Sequence, residues 1–374
     1  MLVHAIALKN YRNYESLTLT LDEGINIFLG ANAQGKTNLL EAICYASLGR
    51  SHRTHQDADL IRFGEEAGSL QLAFSRFAAK SRLDFLFARG KRRSIRLNGE
   101  PIRMKELIGT LNTVLFSPED LFLIKGAPAE RRRFLDGEIS QASPAYYHEL
   151  ATYQRLVAQR NALLKRIRER RAAPAALESW EPQLAASAAR VTAKRLEVVR
   201  KLSMLANLMQ RRISGSQENL ALSCAVAGHE AAPLPTAQVT KTLEAWYNEK
   251  LRECRDVDIA RGATTVGPHR DDLVLEVNGV NLRAFGSQGQ QRTGALSLKL
   301  SELEFLRSET GEYPILLLDD VMSELDADRR QALLAFLRKE RIQTIITATD
   351  AAYFPRAPMG SFYRVEKGRV ERSS

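Results

Sequence analysis

The residues with the plainest chemistry run Gly30-Ala31-Asn32-Ala33-Gln34-Gly35-Lys36-Thr37-Asn38. A Gly-x4-Gly-Lys-Thr spacing turns main-chain amides inward on an anion. It sets a cation against the outer oxygens of a triphosphate and a hydroxyl beside Mg2+. Gly30 and Gly35 give the permissive backbone, Lys36 the cation and Thr37 the hydroxyl. Far downstream, Ile315-Leu316-Leu317-Leu318 runs into Asp319-Asp320. A wholly apolar run ending in two carboxylates suits a buried parallel strand whose tip faces a metal ion. Asp319 is expected to hold the metal with Thr37, and Asp320 to orient an attacking water, so Asp320 and Lys36 are the candidate catalytic residues.

A third constellation, Phe285-Gly286-Ser287-Gln288-Gly289-Gln290-Gln291-Arg292-Thr293, opens an apolar-periodic helix through Leu296, Leu298, Leu300 and Leu303. Ser287 is a good N-cap, and the amides behind it carry the positive end of a helix dipole. Taken alone, the segment reads equally as a capped helix after a glycine turn or as a second anion contact.

These residues need elements to hold them. The apolar run Ile25 to Leu29 predicts a strand before the loop, and Asn38 to Ile43 a helix after it. Met1 to Asn10 reads as a further strand. Leu83 to Phe87 and Ser94 to Leu97 form a hairpin around Ala88-Arg89-Gly90, with Asn98-Gly99 as another turn. Gly215 to Pro235 carries turn signals for a hairpin, and Val274 to Gly279 restarts regular structure. The first lobe is therefore expected to mix antiparallel strands with the nucleotide helix, in an α/β fold.

The formal net charge is +10 over 374 residues, which suggests a polyanionic partner. Residues 151–212 hold 14 Lys and Arg against four Glu and no Asp, so this stretch carries the equivalent of the whole excess. It is also the most helical part of the chain. Tyr146, Leu150, Tyr153, Val157, Leu164 and Ile167 keep a three-four spacing interrupted by Arg160. After Ala172-Ala173-Pro174 a second seam runs Trp180, Leu184, Val191, Val198, Leu202, Leu205, Met209. Two antiparallel helices follow, read either as a solvated hairpin or as a DNA-facing arm. Lys91-Arg92-Arg93 and Arg131-Arg132-Arg133 add basic clusters, the second at a helix start.

No run reaches the roughly 18 apolar residues of a membrane span, and the N-terminus lacks the layout of a secretion signal. Cys44, Cys224 and Cys254 have no metal-ligand spacing and read as structural. A cytoplasmic protein without a membrane partner is expected.

In order along the chain, the loop at Gly30, the segment at Ser287, the carboxylates at Asp319-Asp320 and Ser323-Glu324-Leu325-Asp326 resemble the Walker A, signature, Walker B and D-loop elements of ABC-type ATPases. The 250 residues from Thr37 to Ser287 far exceed transporter spacing and are similar to the SMC-like branch. Within it the chain resembles the RecF family, through Leu8-Lys9-Asn10-Tyr11-Arg12-Asn13-Tyr14, Phe116-Ser117-Pro118-Glu119-Asp120-Leu121, Arg131-Arg132-Arg133-Phe134-Leu135-Asp136 and Gly267-Pro268-His269-Arg270-Asp271-Asp272-Leu273.

The resemblance implies a two-lobed ABC-type head: 1–127 with Walker A, an inserted basic helical arm at 128–260, and 261–374 completing the head. It implies that Ser287, Gln288, Gly289, Gln290 and Asp326 reach the nucleotide of a second copy, so that ATP closes a homodimer on double-stranded or gapped DNA. Slow hydrolysis would release it, with RecR, RecO and RecA as partners. Two positions depart from the wider ABC pattern: Asp320 stands where transporters have Glu, and Thr349 where other members have a switch His. An ABC transporter subunit would need a membrane partner and about half the spacing. A small-molecule P-loop kinase would share only the first loop, and a nucleotide-binding scaffold would not depend on hydrolysis.

Overall fold

The computed structural model describes residues 1–227, 239–354 and 360–373. The chain divides into two units, Met1–Asp120 with Leu296–Ser374, and Leu121–Ala295.

The first unit begins with strands β1 (Leu2–Tyr11), β2 (Tyr14–Thr20) and β3 (Ile25–Leu29), then helix α1 (Lys36–Leu48). Strands β4 (Ala67–Arg76), β5 (Ala79–Ala88), β6 (Ser94–Leu97) and β7 (Glu100–Pro101) follow, then the short α2 (Met104–Leu107) and β8 (Thr113–Phe116). Six of these strands form an antiparallel sheet in the order β2-β1-β4-β5-β6-β7. Alternation dictates its faces: Ile6, Leu8, Leu70, Leu72, Phe74, Leu83, Phe85 and Phe87 are buried, while Lys9 and Gln71 face solvent. The expected Asn98-Gly99 turn is present with φ of 52° and 89°, the positive pair that a tight hairpin requires.

The second unit holds α3 (Leu121–Lys125), α4 (Pro128–Ala142), α5 (Pro144–Arg168), α6 (Glu181–Ile213), β9 (Leu220–Ala225), α7 (Val239–Glu253), α8 (Arg255–Arg261), β10 (Asp272–Val277), β11 (Val280–Asn281) and α9 (Leu282–Phe285). The helix α10 (Gln288–Thr310) starts here and ends in the first unit. Helices α5 and α6 have 25 and 33 residues, about 38 and 50 Å at 1.5 Å per residue. They are antiparallel, since partners run in opposite order: Tyr146 meets Arg195, Glu149 meets Ser187, and Arg160 meets Glu181.

The pair is not a free-standing arm. Helix α7 and strand β9 also pack on α6, which buries Ala185, Ala189, Thr192 and Val199 beyond the expected seam. Strand β9 pairs with β10, and β10 with β11. That pairing ties residues 272–281 to the helices, so the unit extends to Ala295 rather than closing at 260. Residues 228–235 of the expected Gly215 to Pro235 hairpin lie outside the described residues.

Arg160, the charge that interrupted the apolar spacing, is fully buried. It bonds Asp258 at 2.6 Å, Thr264 at 3.0 Å and Glu181 at 3.1 Å. Removing one partner of such a buried pair would leave an uncompensated charge, at a cost of about 3–5 kcal/mol. The Gly267 to Asp272 block is a second network of the same kind. His269 bonds Tyr153 and the Thr264 carbonyl, Arg270 donates to the same carbonyl, and Asp272 takes both arms of Arg131. Arg132 caps the Asp271 carbonyl, so two arginines of the Arg131 cluster are spent inside the unit. A Cβ at Gly267 would stand 2.3 Å from the Tyr153 hydroxyl, with φ at 134°.

The chain returns to the first unit with β12 (Ile315–Asp319), α11 (Ala327–Glu340), β13 (Thr344–Ala348), β14 (Ser361–Glu366) and β15 (Arg369–Ser373). The second sheet has the order β15-β14-β3-β13-β12-β8. All pairs from β14 to β8 are parallel, and only β15 is antiparallel. Both sheets share one core, where Leu39, Leu40 and Ile43 of α1 lie among Leu70, Phe85, Ile315, Leu317 and Ile345.

Arg195 grips Asp136 through two nitrogens, at 3.0 and 2.9 Å, but reaches Asp271 only at 3.5 Å. Burial therefore outweighs Arg195 at Asp271 and pushes its carboxyl up to about 6. The stability this group contributes is complete below its unfolded value near 4 and is lost as pH rises through about 6. Asp271→Asn removes that dependence. Relative to wild type the variant should gain about 1 kcal/mol between pH 5 and 7.5, read by thermal or urea unfolding.

Candidate nucleotide site

Strand β13 lies between β3 and β12. This order brings the loop that leaves β3 and the carboxylates that end β12 to the same edge of the parallel sheet, outside the strand carboxyl ends where α/β folds bind ligands. There Thr37 donates to Asp319 Oδ1 at 3.0 Å, and Thr347 of β13 donates to the same oxygen at 2.7 Å. Asn32, Ala33, Gly35, Lys36, Thr37 and Asn38 line a cleft of about 540 Å3 together with Asp319, Asp320, His52, Arg53 and Ser117–Glu119.

The loop leaves the first turn of α1 without a side-chain cap: Gly35 is the N-cap at φ 116°, and no acid lies in that turn. Its amides are available to a phosphate. Lys36 Nζ donates to the Gly30 and Ala31 carbonyls at 2.6 and 2.9 Å. Burial lowers its pKa, while Asp320 and then Asp319 oppose the shift. Gln34 is turned away, accepting from the Lys367 amide and donating to the Asn32 carbonyl.

The donor set fits ATP and Mg2+. With its proton directed to Asp319, the Thr37 hydroxyl keeps its lone pairs free for a cation. Asp320 has a buried Oδ1 with no hydrogen-bond partner. The backbone there is left-handed, φ 53°, held by two bonds from Asp320 N to Thr347. Burial raises the Asp320 carboxyl above the usual range, helped by Asp319 and Glu324 and opposed by Lys36.

The outer wall of the loop comes from the segment after β1. Tyr14 donates to the Gly35 carbonyl at 2.9 Å, Asn13 to the Gln34 carbonyl at 2.9 Å, and Asn38 donates to Asn13 at 2.8 Å. Arg12 grips the buried Glu41 of α1 through two nitrogens. Asn13, Tyr14, Thr347, His52, Arg53 and Glu119 were not singled out for this site by sequence reasoning. Thr347 had a signal in lying on the strand between the two motifs, and Asn13-Tyr14 in standing next to a strand end. His52 had none.

Ser287 to Gln290 belong to the second unit. Ser287 accepts from the Gln290 amide at 3.2 Å, and Gln290 Oε1 accepts from the Ser287 amide at 3.0 Å, a reciprocal cap at the start of α10. Ser287, Gln288 and Gly289 are exposed, whereas the Gln290 amide group is bonded to Glu218. Asp326 is the N-cap of α11 and pairs with Arg329.

The sequence matches the family described as the RecF/RecN/SMC N terminal domain over residues 2–373. It is 44% identical to the DNA replication and repair protein RecF of Heliobacterium modesticaldum and 42% identical to that of Geobacillus kaustophilus, in both cases over 100% of each chain. The chain belongs to the RecF family. Among solved structures, the recombination mediator protein RecF-ATPrS in the RecFOR pathway superposes with a TM-score of 0.89 at 34% identity, covering 100% of this chain and 98% of that one. The corresponding RecF-ATP structure gives 0.88 at 34%, covering 100% and 99%. An Smc head bound to the C-winged helix domain of ScpA, at 15% identity and a TM-score of 0.58, covering 100% and 97%, shows the shared ABC-type head fold. Among the described residues no helix is long and apolar enough to cross a membrane.

A Cβ on Gly30 would stand 2.3 Å from the main-chain oxygen of Val365. Gly30→Ala must therefore push the loop off β14, lowering stability by about 1–3 kcal/mol. Its thermal midpoint should fall, and equilibrium titration should show weakened nucleotide binding.

Proposed function

We propose that this RecF-family chain binds ATP with Mg2+ in the cleft at Gly30–Asn38 and uses it to clamp DNA during recombinational repair and replication. The observation that carries the reading is the Thr37–Asp319 bond inside a cleft lined by uncapped helix amides and Lys36. The full-length likeness to RecF-ATP supports the choice of nucleotide. Thr37 and Asp319 would hold Mg2+, which when bound neutralises charge on the phosphate oxygens. Lys36 exchanges the Gly30 and Ala31 carbonyls for phosphate oxygens. Asp320 holds the attacking water, from one C–C bond further back than a glutamate would, which is compatible with slow turnover.

In this reading the exposed Ser287, Gln288 and Gly289, with Gln290 as their cap, close on the terminal phosphate held by a second copy, with Asp326 at the same junction. Nucleotide binding then favours the dimer by its differential affinity for the closed state. The dimer grips gapped duplex or a junction of single- and double-stranded DNA, and hydrolysis releases it. Contacts fall on phosphates, so affinity drops steeply with salt. RecO and RecR would act with it, in keeping with the RecFOR pathway named for its structural relatives, and by family resemblance they would help load RecA.

Asp320→Asn should bind ATP normally, hydrolyse it at least about 100-fold more slowly, and remain on gapped DNA long after wild type has dissociated. Unchanged hydrolysis would remove Asp320 from the mechanism. Lys36→Arg puts a planar fork where the loop fits a point charge and should weaken ATP binding by roughly tenfold or more in equilibrium titrations.

A further inference from the structure

A dense group of cations closes one end of the α5–α6 pair. Lys165, Arg166 and Arg168 stand in the last turn of α5, Arg170 and Arg171 follow it, and Arg261 ends α8; all six are exposed. They form one cluster around Gly262, where a Cβ would stand 3.2 Å from the Lys165 stem and 3.1 Å from the Arg168 guanidinium, and Arg168 donates to the Arg261 carbonyl at 3.4 Å. Glu169 is the one acid in residues 165–171, and it pairs with Arg171. Among the described residues, Lys165, Arg166 and Arg170 have no ionic partner.

These charges are held in place. Leu164, Ile167 and Leu177 bury a small core beneath the turn, and the Arg160 network with Asp258 and Glu181 ties α5 to α8 and α6 one helical turn earlier. The turn itself is a closed helix end, with the Arg171 amide on the Arg166 carbonyl at 2.7 Å and the Arg170 amide on the Ile167 carbonyl at 2.8 Å. Arg170 takes the left-handed position of that motif, φ 59°, which a glycine fills without strain. An arginine there costs stability, and like charges fixed this close repel. The arrangement suits a polyanion better than it suits the fold.

The surroundings select the kind of polyanion. Protein interfaces rest on exposed apolar anchors, and Val257 is the one large apolar side chain strongly exposed on α5, α8 or the turn. Residues 163–179 contain no aromatic ring, so unpaired bases have nothing to stack on. A phosphate backbone needs only the cations. The tip is also remote from the Ser287 cap, because Gln290 bonds Glu218, which accepts from Gln210 near the far end of α6. The 33 residues of α6 put about 50 Å between the two ends. We infer that this tip binds the phosphate backbone of duplex DNA, and that it does so with or without nucleotide. The inference rests on the reading of this chain as a DNA clamp.

The test is anisotropy titration of a labelled DNA duplex with the full chain, over a range of salt, with ATPγS and without it. Wild type is compared with a tip variant carrying Lys165→Gln, Arg166→Gln and Arg170→Gly. A control carrying Lys80→Gln, Lys241→Gln and Lys339→Gln removes as many exposed charges from scattered positions. In both nucleotide states the tip variant should bind about tenfold or more weakly at 0.1 M salt, and the slope of log affinity against log salt should shrink by about 2 to 3. The control should lose less than about threefold. Both should bind ATPγS as wild type does. A tip variant that loses no more than the control overturns the inference and leaves the clamp reading intact. So does a tip variant that keeps duplex binding but loses binding to poly-glutamate, since the patch then serves an acidic protein. Wild type that binds no duplex in either nucleotide state overturns both. If the triple variant does not fold, Arg170→Gly alone relieves backbone strain and should lower the slope by about 1.

Discussion

The hydrogen bond from Thr37 to Asp319 joins residues 282 positions apart, and the chemistry of the site depends on that closure. Neither group can do its work alone: a P-loop hydroxyl needs a carboxylate opposite it, and a carboxylate at a strand tip needs something to face. What enforces the pairing is the parallel register β3–β13–β12, with Thr347 of the middle strand bonding both Asp319 and the Asp320 amide. Two sheets share the core around α1, so the loop, its helix and the carboxylates are fixed by one packed body. Asn13 and Tyr14 then hold the loop from outside, and Arg12 anchors α1 through Glu41.

The helical unit is held together differently. Arg160 with Asp258 and Glu181, and Arg195 with Asp136 and Asp271, are buried ionic networks between helices and turns far apart in sequence. Such networks add little net stability over a well-packed apolar core but punish any arrangement that leaves a charge unpaired. They fix how α4, α5, α6, α8 and the Gly267 turn meet. The excess charge of residues 151–212 is therefore not all free surface, since Arg160 and Arg195 sit inside.

The parts of the fold with a period or a spacing were legible in the sequence. Strand β3 spans the residues that its apolar run marked, and the two long helices break at the alanine-proline turn. That the Gly30 loop meets the carboxylates at Asp319 and Asp320 was legible because the chemistry expected of them demands particular residue types at fixed separations. What stayed hidden was long-range pairing. Arg160 read as an interruption because its partners are supplied by α6 and α8, and β9, inside the stretch that read as a local hairpin, takes its partner from the distant β10. The Gly267 to Asp272 block could be marked but not explained, because its meaning lies in Tyr153, Arg131 and Arg195, each on a different helix. His52 carries no local pattern at all, and only the folded chain shows where it stands.

Closure of a nucleotide-bound pair is the central claim, and sedimentation equilibrium of the purified chain at saturating ATP and Mg2+ tests it most directly. The account predicts a mass twice the 41.9 kDa of one chain with ATP and one chain's mass without it. Ser287→Arg should stay at one chain's mass while still binding the nucleotide. Wild-type protein that remains a single copy with ATP and Mg2+, in the presence and absence of gapped duplex, would contradict it.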